Sequence, residues 1–377
     1  MAFIYSVKDT YRAAVEAATG GKNTVLYDDQ GNPSIMVVIP KFYLDDVITG
    51  APHTVHPAFI VNGVEKPYIY ISKYQNIVQN SRAYSLPGQD PATYVNFDQA
   101  LSYCYAKGQG WHLMSRAEWA AIALWCKKNG FMPRGNNNYG CDTSASYEKG
   151  RETMFDSGAG KTGRTATGSG PASWSHDGTP DGIYDLNGNV WEWNSGMRLN
   201  AGEIQVIQDN NAAILNSDHS ATSTLWKAIA SADGSLVAPG TSGTLKYDYT
   251  ATPTSGSGNI ELNNAIANAQ TDETAYGNKT FETLTAHSGI TVPTIMKSLG
   301  LFPIDTSEGA DIFQLRNNLE RFPLSGGSWY AGASAGLFAL NLKNNRTNSN
   351  NNVGFRAALL SWSAAISSWA YFQYRET

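Results

Sequence analysis

The sequence predicts an α+β protein, and three observations point to that class. Two helical patterns lie close together between residues 96 and 128, whereas the tract from Asn129 onward consists mostly of turns. The strand patterns before the helices do not alternate with them, as the strands of a parallel α/β sheet would. An apolar fraction of 42% and a charged fraction of 16%, against about 25% in an average soluble domain, indicate a packed core under a surface of neutral polar groups.

The first sixty residues predict a short helix followed by a β-hairpin. Apolar side chains recur on one face over residues 7 to 18, and Ser6 is the predicted cap. Residues 24 to 27 and 34 to 39 are β-rich runs around a glycine-containing turn, which predicts the hairpin. We interpret residues 1 to 60 as a small β-rich segment with an attachment role and residues 61 to 377 as the main domain.

Two helices of the main domain have clear patterns. Residues 96 to 107 carry an apolar stripe that ends at a glycine. Ser115 and Glu118 form a capping box, in which each side chain satisfies a free backbone N–H, and therefore predict the start of the second helix. Residues 200 to 320 are poor in aromatic side chains, and we interpret them as a long insertion with some helix near residues 263 to 269.

Composition and charge exclude several classes of function. The net charge is −5 and there is no run of lysine and arginine, so no nucleic-acid partner is expected. No apolar run reaches the roughly 18 residues of a membrane helix, so no membrane insertion is expected. The first residues lack the pattern of a signal peptide. Three cysteines without a CxxC pair support neither a disulfide framework nor a zinc site.

The run from Asp181 to Trp193 is the most distinctive motif in the sequence. Glu192 stands between Trp191 and Trp193, so we expect a buried carboxylate that needs hydrogen-bond partners, and Glu192→Ala to cost about 1–3 kcal/mol. Asn189 and Glu192 are oxygen ligands of the kind that Ca²⁺ prefers. The two interpretations left open are a calcium site near these residues and a hydrogen-bonded turn that locks the core; no other cofactor is expected.

The C-terminal region mixes aromatic residues with serine, alanine and glycine. Seven of the twelve residues from Asn341 to Asn352 are asparagine. A mixture of tyrosine and tryptophan with small residues is typical of antibody-like binding surfaces, where it gives contact area at low entropic cost. The alternative is the end of a β-rich domain whose aromatic side chains belong to the core.

Five motifs, taken in order, resemble those of the formylglycine-generating-enzyme family, also called sulfatase-modifying factors. They span residues 94 to 356 and read YVNFDQALSYCYAKGQGWHLMSRAEWAAIA, MPRG, GIYDLNGNVWEW, SGGSW and VGFR. The resemblance implies that family's variant of the C-type lectin fold. It also implies catalytic cysteines just after the SGGSW motif, but residues 330 to 336 contain none, and no cysteine follows Cys141. We therefore expect a protein that is not an enzyme.

The end of the chain is similar to the variable proteins of diversity-generating retroelements. In those proteins, adenine-directed mutagenesis turns asparagine codons into codons for residues such as tyrosine, serine and alanine. The resemblance implies a variable region of about 325 to 377. The residues expected on its binding surface are Ser328, Tyr330, Ala331, Ala333, Ser334, Ser361, Trp362, Ser363, Ala364, Ser367, Ser368, Trp369, Tyr371, Phe372 and Tyr374. Those expected to form the scaffold are Trp191, Glu192, Trp193, Trp329, Arg346 and Arg356.

These resemblances and the composition of the C-terminal region predict a protein that binds a ligand through a hypervariable surface. We expect the segment from 341 to 356 to hold that surface from behind and below. The resemblance implies recognition of a host receptor, either a surface protein or a glycan, by a phage or prophage protein displayed on a virion tail or outside the cell. Tail proteins and further copies of the chain are the other expected partners. The alternatives are an oxidase of the formylglycine-generating type, which the missing cysteines disfavour, and a structural role in tail assembly.

Overall fold

The computed structural model describes residues 9 to 360, which contain five α-helices and twenty-five β-strands. The helices are α1 (Thr10–Ala18), α2 (Leu44–Val47), α3 (Phe97–Tyr105), α4 (Arg116–Lys128) and α5 (Thr294–Ser298). The strands are β1 (Asn23–Tyr27), β2 (Pro33–Pro40), β3 (Ile60–Val61), β4 (Val64–Glu65), β5 (Tyr68–Ser72), β6 (Ile77–Gln79), β7 (Arg82–Tyr84), β8 (Trp111–Leu113), β9 (Phe155–Asp156), β10 (Lys161–Thr162), β11 (Trp191–Trp193), β12 (Met197–Asn200), β13 (Glu203–Ile207), β14 (Trp226–Ile229), β15 (Leu236–Val237), β16 (Lys246–Tyr249), β17 (Ile260–Asn263), β18 (Gly277–Thr280), β19 (Thr285–Ala286), β20 (Ile312–Leu315), β21 (Glu320–Arg321), β22 (Leu324–Gly326), β23 (Gly336–Leu342), β24 (Val353–Phe355) and β25 (Ala357–Leu359). The mixture confirms the predicted α+β class. Within residues 9 to 360, no helix is long and apolar enough to cross a membrane.

The first helix is shorter at its start than the sequence predicts. Its N-cap is Asp9, whose carboxylate accepts a hydrogen bond from the backbone N–H of Arg12 at 2.8 Å. The predicted cap, Ser6, lies outside the described residues. A carboxylate three residues before a free N–H satisfies that group directly, so the helix begins after the aspartate.

The predicted N-terminal hairpin is confirmed, and it belongs to a five-stranded sheet. Strands β1 and β2 pair antiparallel, with Asn23 opposite Val37 and Tyr27 opposite Pro33. The sheet has the order β1-β2-β5-β25-β8. Strand β25, the last described strand, therefore lies between β5 and β8 and ties the C-terminal region to the N-terminal strands. The attachment role of residues 1 to 60 stays a prediction.

The predicted capping box at the start of α4 is confirmed. The hydroxyl of Ser115 accepts from the N–H of Glu118 at 3.1 Å, and the carboxylate of Glu118 accepts from the N–H of Ser115 at 2.9 Å. The other oxygen of Glu118 lies 2.9 Å from Nε2 of His112. Both side chains are fully buried, so the box also joins α4 to β8.

The predicted helix near residues 263 to 269 is wrong, and the regular structure within residues 200 to 320 consists mainly of short strands joined by loops. Most of them form an eight-stranded sheet of order β15-β14-β13-β16-β17-β19, in which β12 also pairs with β13 and β21. Strand β17 ends at Asn263 and a loop follows. The carboxylate of Asp248 accepts from the backbone N–H groups of Ala267 at 2.6 Å and Asn268 at 3.2 Å, so these groups do not need helical carbonyl partners.

A six-stranded sheet combines the insertion with the distinctive motifs. Its order is β18-β20-β23-β22-β11-β24. Strand β20 of the insertion pairs parallel with β23, and β11, which carries Glu192, pairs parallel with β24 and antiparallel with β22. Strands β22 and β24 therefore lie directly beside the strand of the WEW motif.

One buried ion pair joins the two sheets. The guanidinium of Arg356 donates to both oxygens of Glu192, at 2.7 Å from Nε and 2.6 Å from Nη2. It also donates to the carbonyl of Ser72 at the end of β5 and to the carbonyl of Tyr184. Gln75 donates to Glu192 at 3.0 Å. Glu192 and Arg356 are 1% and 0% exposed, which confirms the prediction that Glu192 is buried and hydrogen-bonded.

Removal of the Glu192 carboxylate should destabilise the protein by more than the loss of its hydrogen bonds would, because a buried charge loses its partner as well. Glu192→Ala leaves the guanidinium of Arg356 buried without its counter-charge, so we expect a loss of about 3–5 kcal/mol in the free energy of unfolding, measured in urea. The matched control is Glu65→Ala, which removes an exposed pair with Lys41 and should change stability by at most about 1 kcal/mol. Equal effects of the two substitutions would contradict the role of the pair.

Candidate functional site

A groove of about 380 Å³ lies over the six-stranded sheet. Side chains of five neighbouring strands form its floor: Trp191, Ile312, Gln314, Leu324, Asn341 and Val353. One wall is the short loop (residues 327 to 335) between β22 and β23, and the other is the Asn-rich segment (residues 343 to 352) between β23 and β24. The wall residues are Tyr330, Ala331, Ser334, Lys343, Asn344, Asn348, Asn350 and Asn352, and the buried Ser328 lies at the base of the first wall.

The short loop is fixed at its start by glycine and tryptophan. Gly327 has a φ of 91°, and a Cβ there would lie 2.4 Å from the Cβ of Ala335, so the turn requires glycine. The N–H of Trp329 donates to the carbonyl of Asn189 at 3.1 Å, and its indole N–H donates to Asp156 of β9 at 3.1 Å. The base of the loop is therefore held by the core and by the β9–β10 hairpin.

A buried carboxylate fixes the end of the short loop. Asp311 accepts a hydrogen bond from the N–H of Phe338 at 2.7 Å. Its carboxylate also fills the space beside Gly336, where a Cβ would lie 2.1 Å from Oδ1. Burial raises the pKa of Asp311 well above its usual value. With both ends held, the side chains between them project from a defined backbone.

Asparagine side chains satisfy the backbone of the Asn-rich segment. Oδ1 of Asn341 accepts from the N–H of Lys343 at 3.1 Å, and Oδ1 of Asn345 accepts from the N–H of Thr347 at 3.2 Å. The amide of Asn352 donates to the hydroxyl of Tyr330 at 2.6 Å and so connects the two walls. These bonds let the segment keep one path across the sheet without regular secondary structure.

Two arginines anchor the Asn-rich segment to the rest of the protein. Arg346 donates to Asp98 of α3 at 2.8 Å and to the carbonyl of His219 at 3.0 Å. Arg164 pairs with Asp90 at 2.8 Å and donates to the carbonyl of Asn351 at 3.0 Å. The segment is thus held along its outer side, and the groove side stays open.

The groove is lined by neutral hydrogen-bonding groups and one cation. Its lining within the described residues holds five asparagines, one lysine and no carboxylate, imidazole or thiol. Burial lowers the pKa of Lys343, whose ammonium lies 4.5 Å from the centre of the Tyr276 ring. Burial raises the pKa of Tyr330, so its hydroxyl stays neutral. Such a lining suits recognition by hydrogen bonds and stacking.

The structure brings four of the expected surface residues together on the short loop. Tyr330 is 50% exposed and Ala333 is exposed, while Ala331 and Ser334 are half-buried. Ser328 was predicted on the surface and is fully buried at the base of the loop, because Gly327 turns the chain inward and Trp329 packs beside it. The remaining expected surface residues lie outside the described part of the chain: Ser361, Trp362, Ser363, Ala364, Ser367, Ser368, Trp369, Tyr371, Phe372 and Tyr374.

The prediction that residues 341 to 356 hold the surface from behind and below needs correction in part. Asn341 and Val353 lie in the floor and Arg356 is buried in the ion pair with Glu192, whereas residues 343 to 352 form a wall of the groove. Strands β23 and β24 are separated in the sheet by β22 and β11, so their connection has to cross the face of the sheet. Asn344, Asn348 and Asn350 were missed as groove residues. The run of asparagines was the available signal, since each amide offers both a donor and an acceptor.

The predicted scaffold residues lie beneath or beside the groove. Trp193 and Trp329 are buried, and Trp191 forms part of the floor. Both ends of the Asn189 amide have protein partners: Oδ1 accepts from the N–H of Thr165 at 2.9 Å, and Nδ2 donates to Gln75 at 2.9 Å. Between residues 9 and 360 there is no cluster of three or more His, Cys, Asp or Glu side chains that could hold a metal ion. The calcium site stays a prediction.

Comparison with known proteins identifies a family for the larger part of the chain. The profile of the sulfatase-modifying factor enzyme 1-like domain matches residues 10 to 218. The match confirms the fold predicted from the sequence, the C-type lectin fold of the formylglycine-generating-enzyme type. It ends before the strands that carry the groove walls. No curated protein sequence matches the chain.

Several solved structures are similar to the chain at low identity. PvdO from Pseudomonas aeruginosa is 14% identical over 89% of this chain and 97% of its own, with a TM-score of 0.35. Treponema denticola variable protein 1 is 12% identical over 89% of this chain and 98% of its own, with a TM-score of 0.34. The U1 variant of the major tropism determinant is 12% identical over 86% of this chain and 62% of its own, with a TM-score of 0.29.

Substitution of the wall side chains should leave the fold intact. We expect Ala331→Ser, Ser334→Tyr and Asn350→Tyr each to change the free energy of unfolding in urea by no more than about 0.5 kcal/mol, because these side chains face the groove opening. Trp329→Ala is the control from the same loop and should cost about 3–5 kcal/mol, since its ring is buried. Unfolding of the protein by the wall substitutions would contradict this division between wall and frame.

Proposed function

This chain belongs to the family of the sulfatase-modifying factor enzyme 1-like domain, and on that premise we propose that it is a non-catalytic protein that binds its ligand in the groove. The observation that carries the proposal is the lining of the groove. Asparagine, tyrosine and serine side chains form the walls there, above a floor of four apolar side chains with Gln314 and Asn341. A lining of donors and acceptors without a nucleophile or a general acid–base group suits recognition better than chemistry.

The positions of the thiols support a role without catalysis. Resemblance to the formylglycine-generating enzymes implies cysteines in residues 330 to 336, and this chain has none there. Burial raises the pKa values of Cys104 and Cys126, which are fully buried in helices. The pKa of Cys141 is also raised by burial, and its thiol donates to the carbonyl of Asn138 at 3.0 Å. Because the thiolate is the nucleophile, these thiols are poorly suited to catalysis.

The composition of the groove walls supports a diversified surface. In the variable proteins of diversity-generating retroelements, asparagine codons are the source of variation. Tyr330, Ala331 and Ser334 are products that such codons give, and the opposite wall still carries asparagine at four positions: 344, 348, 350 and 352. Mutagenesis of this kind would therefore act on both walls of one groove while the frame beneath it stays constant.

The ligand in this proposal is a receptor on a host cell, either a surface protein or a glycan. The protein would be carried by a phage or prophage and displayed on the virion tail or outside the cell. Residues 1 to 60 would serve for attachment to tail proteins or to further copies of the chain. A surface of this kind needs a rigid base, which the ion pair of Arg356 and Glu192 supplies.

The proposal is tested by blocking the groove. The labelled full-length chain is applied to a panel of bacterial strains, and we expect it to bind a subset of them. Ser334→Arg places a long cation on the wall and should weaken that binding at least about tenfold. Leu225→Arg is the control, because Leu225 is 39% exposed and lies outside the groove.

Equal binding by the two variants, with unfolding temperatures like that of the parent protein, would show that the groove is not the binding site. Loss of binding in both would have the same meaning, because the control leaves the groove unchanged.

A further inference from the structure

One end of the groove carries two basic side chains and an aromatic ring. In the six-stranded sheet, Gln314 of β20 lies opposite Asn278 of β18 and Asn341 of β23, and both Gln314 and Asn341 belong to the floor. Successive side chains of a strand point to opposite faces, so the residues two positions further along share the face of the floor. On the three strands these residues are Tyr276, Arg316 and Lys343, which we call the basic end of the groove.

Contacts between the three residues of the basic end agree with this register. The ammonium of Lys343 lies 4.5 Å from the centre of the Tyr276 ring. Nη1 of Arg316 donates to the carbonyl of Lys343 at 3.3 Å, and its Nε donates to the carbonyl of Ala275 at 3.1 Å. The basic end is therefore a compact group, and Lys343 is its member that lines the groove.

Positive charge exceeds negative charge at the basic end. The carboxylate of Glu273 pairs with Arg321 at 2.5 Å and with Arg316 at 3.5 Å, so one carboxylate serves two guanidinium groups. Among residues 9 to 360, no carboxylate pairs with the ammonium of Lys343. The whole chain has a net charge of −5, so this excess of positive charge is local to the groove.

The surroundings of Lys343 disfavour its charge, and an anion beside it would offset this cost. Burial and the positive charge of Arg316 both lower the pKa of Lys343, because each of them destabilises the protonated amine. The N–H groups of Arg316 donate to backbone carbonyls, among them that of Ala275. The ammonium of Lys343 has three donors, so it is the group of the basic end that can donate hydrogen bonds to a ligand.

We propose that Lys343 binds one anionic oxygen group of the ligand, a carboxylate, sulfate or phosphate, at the basic end of the groove. This inference rests on the proposed function and adds the charge of the ligand. The rest of the lining within the described residues is neutral, so it has a place for one such group. A densely charged polyanion is disfavoured, because the chain as a whole is negative. An acidic sugar and an acidic amino acid both supply the group, and the test separates these two sources.

The test uses the labelled full-length chain and the bacterial strains that it binds. Lys343→Met keeps most of the aliphatic stem and removes the charge, and we expect binding to weaken at least about tenfold. An increase in NaCl from about 0.05 to about 0.5 M should weaken binding of the parent protein more than the remaining binding of Lys343→Met. The unfolding temperature should stay the same or rise, because the substitution removes a partly buried charge.

Two control variants and treated cells complete the design. Lys343→Arg keeps the charge and should bind within about threefold of the parent protein. Lys128→Met removes an exposed lysine at the end of α4, outside the groove, and should bind as the parent does. Amidation of the carboxylates on the cells, or enzymatic removal of phosphate and sulfate esters, should abolish binding. Periodate oxidation abolishes binding if an acidic sugar carries the group, and protease treatment does so if an acidic amino acid carries it.

Ser334→Tyr distinguishes this proposal from the proposed function, because it adds bulk to the groove wall without adding charge. If Ser334→Tyr weakens binding while Lys343→Met binds as the parent does, the groove is the site and only the anionic group fails. If substitutions at Ser334 leave every strain bound, the proposed function itself fails. Binding that survives both the amidation of carboxylates and the removal of phosphate and sulfate overturns the proposal. So does a fall in the unfolding temperature of Lys343→Met that accompanies its loss of binding, because the lysine would then be structural.

Discussion

The carboxylate of Glu192 and the guanidinium of Arg356 meet where the five-stranded and six-stranded sheets come together, and both groups are removed from water. A buried charge is tolerated only with a partner and a full set of hydrogen bonds. Here the two carboxylate oxygens, Gln75 and the carbonyls of Ser72 and Tyr184 complete that set. The pair therefore fixes the ends of β5, β11 and β24 relative to one another. Because β11 and β24 form part of the floor of the groove, the shape of the floor depends on this pair.

This arrangement separates the side chains that stabilise the fold from those that line the groove walls. Buried groups, among them Trp329 and Asp311, hold the floor and the two ends of the short loop in place. The wall side chains, in contrast, make few contacts with the core. The Asn-rich segment makes its backbone bonds through its own side chains and through Arg346 and Arg164. A surface built in this way can change its side chains while its backbone keeps the same path.

Local signals account for what the sequence predicts correctly. The capping box of Ser115 and the burial of Glu192 between two tryptophans each depend on residues close together in the chain. The sheet formed by residues 200 to 320 and the groove wall formed by the Asn-rich segment depend on pairings between distant strands, such as β20 with β23. Side-chain periodicity carries no information on which distant strand will pair, so the second wall was not predicted.

In the proposed function, variation is directed to the walls of one groove on a constant frame. The most direct measurement is the DNA sequence around the gene, searched for a reverse transcriptase and a near-identical repeat of the 3′ end. We expect the repeat to differ from the gene at adenines in codons for wall residues such as Tyr330, Ala331 and Ser334, and to match it at Trp329 and Arg356. Differences that fall equally on buried residues of the frame, or the absence of any repeat, would contradict it.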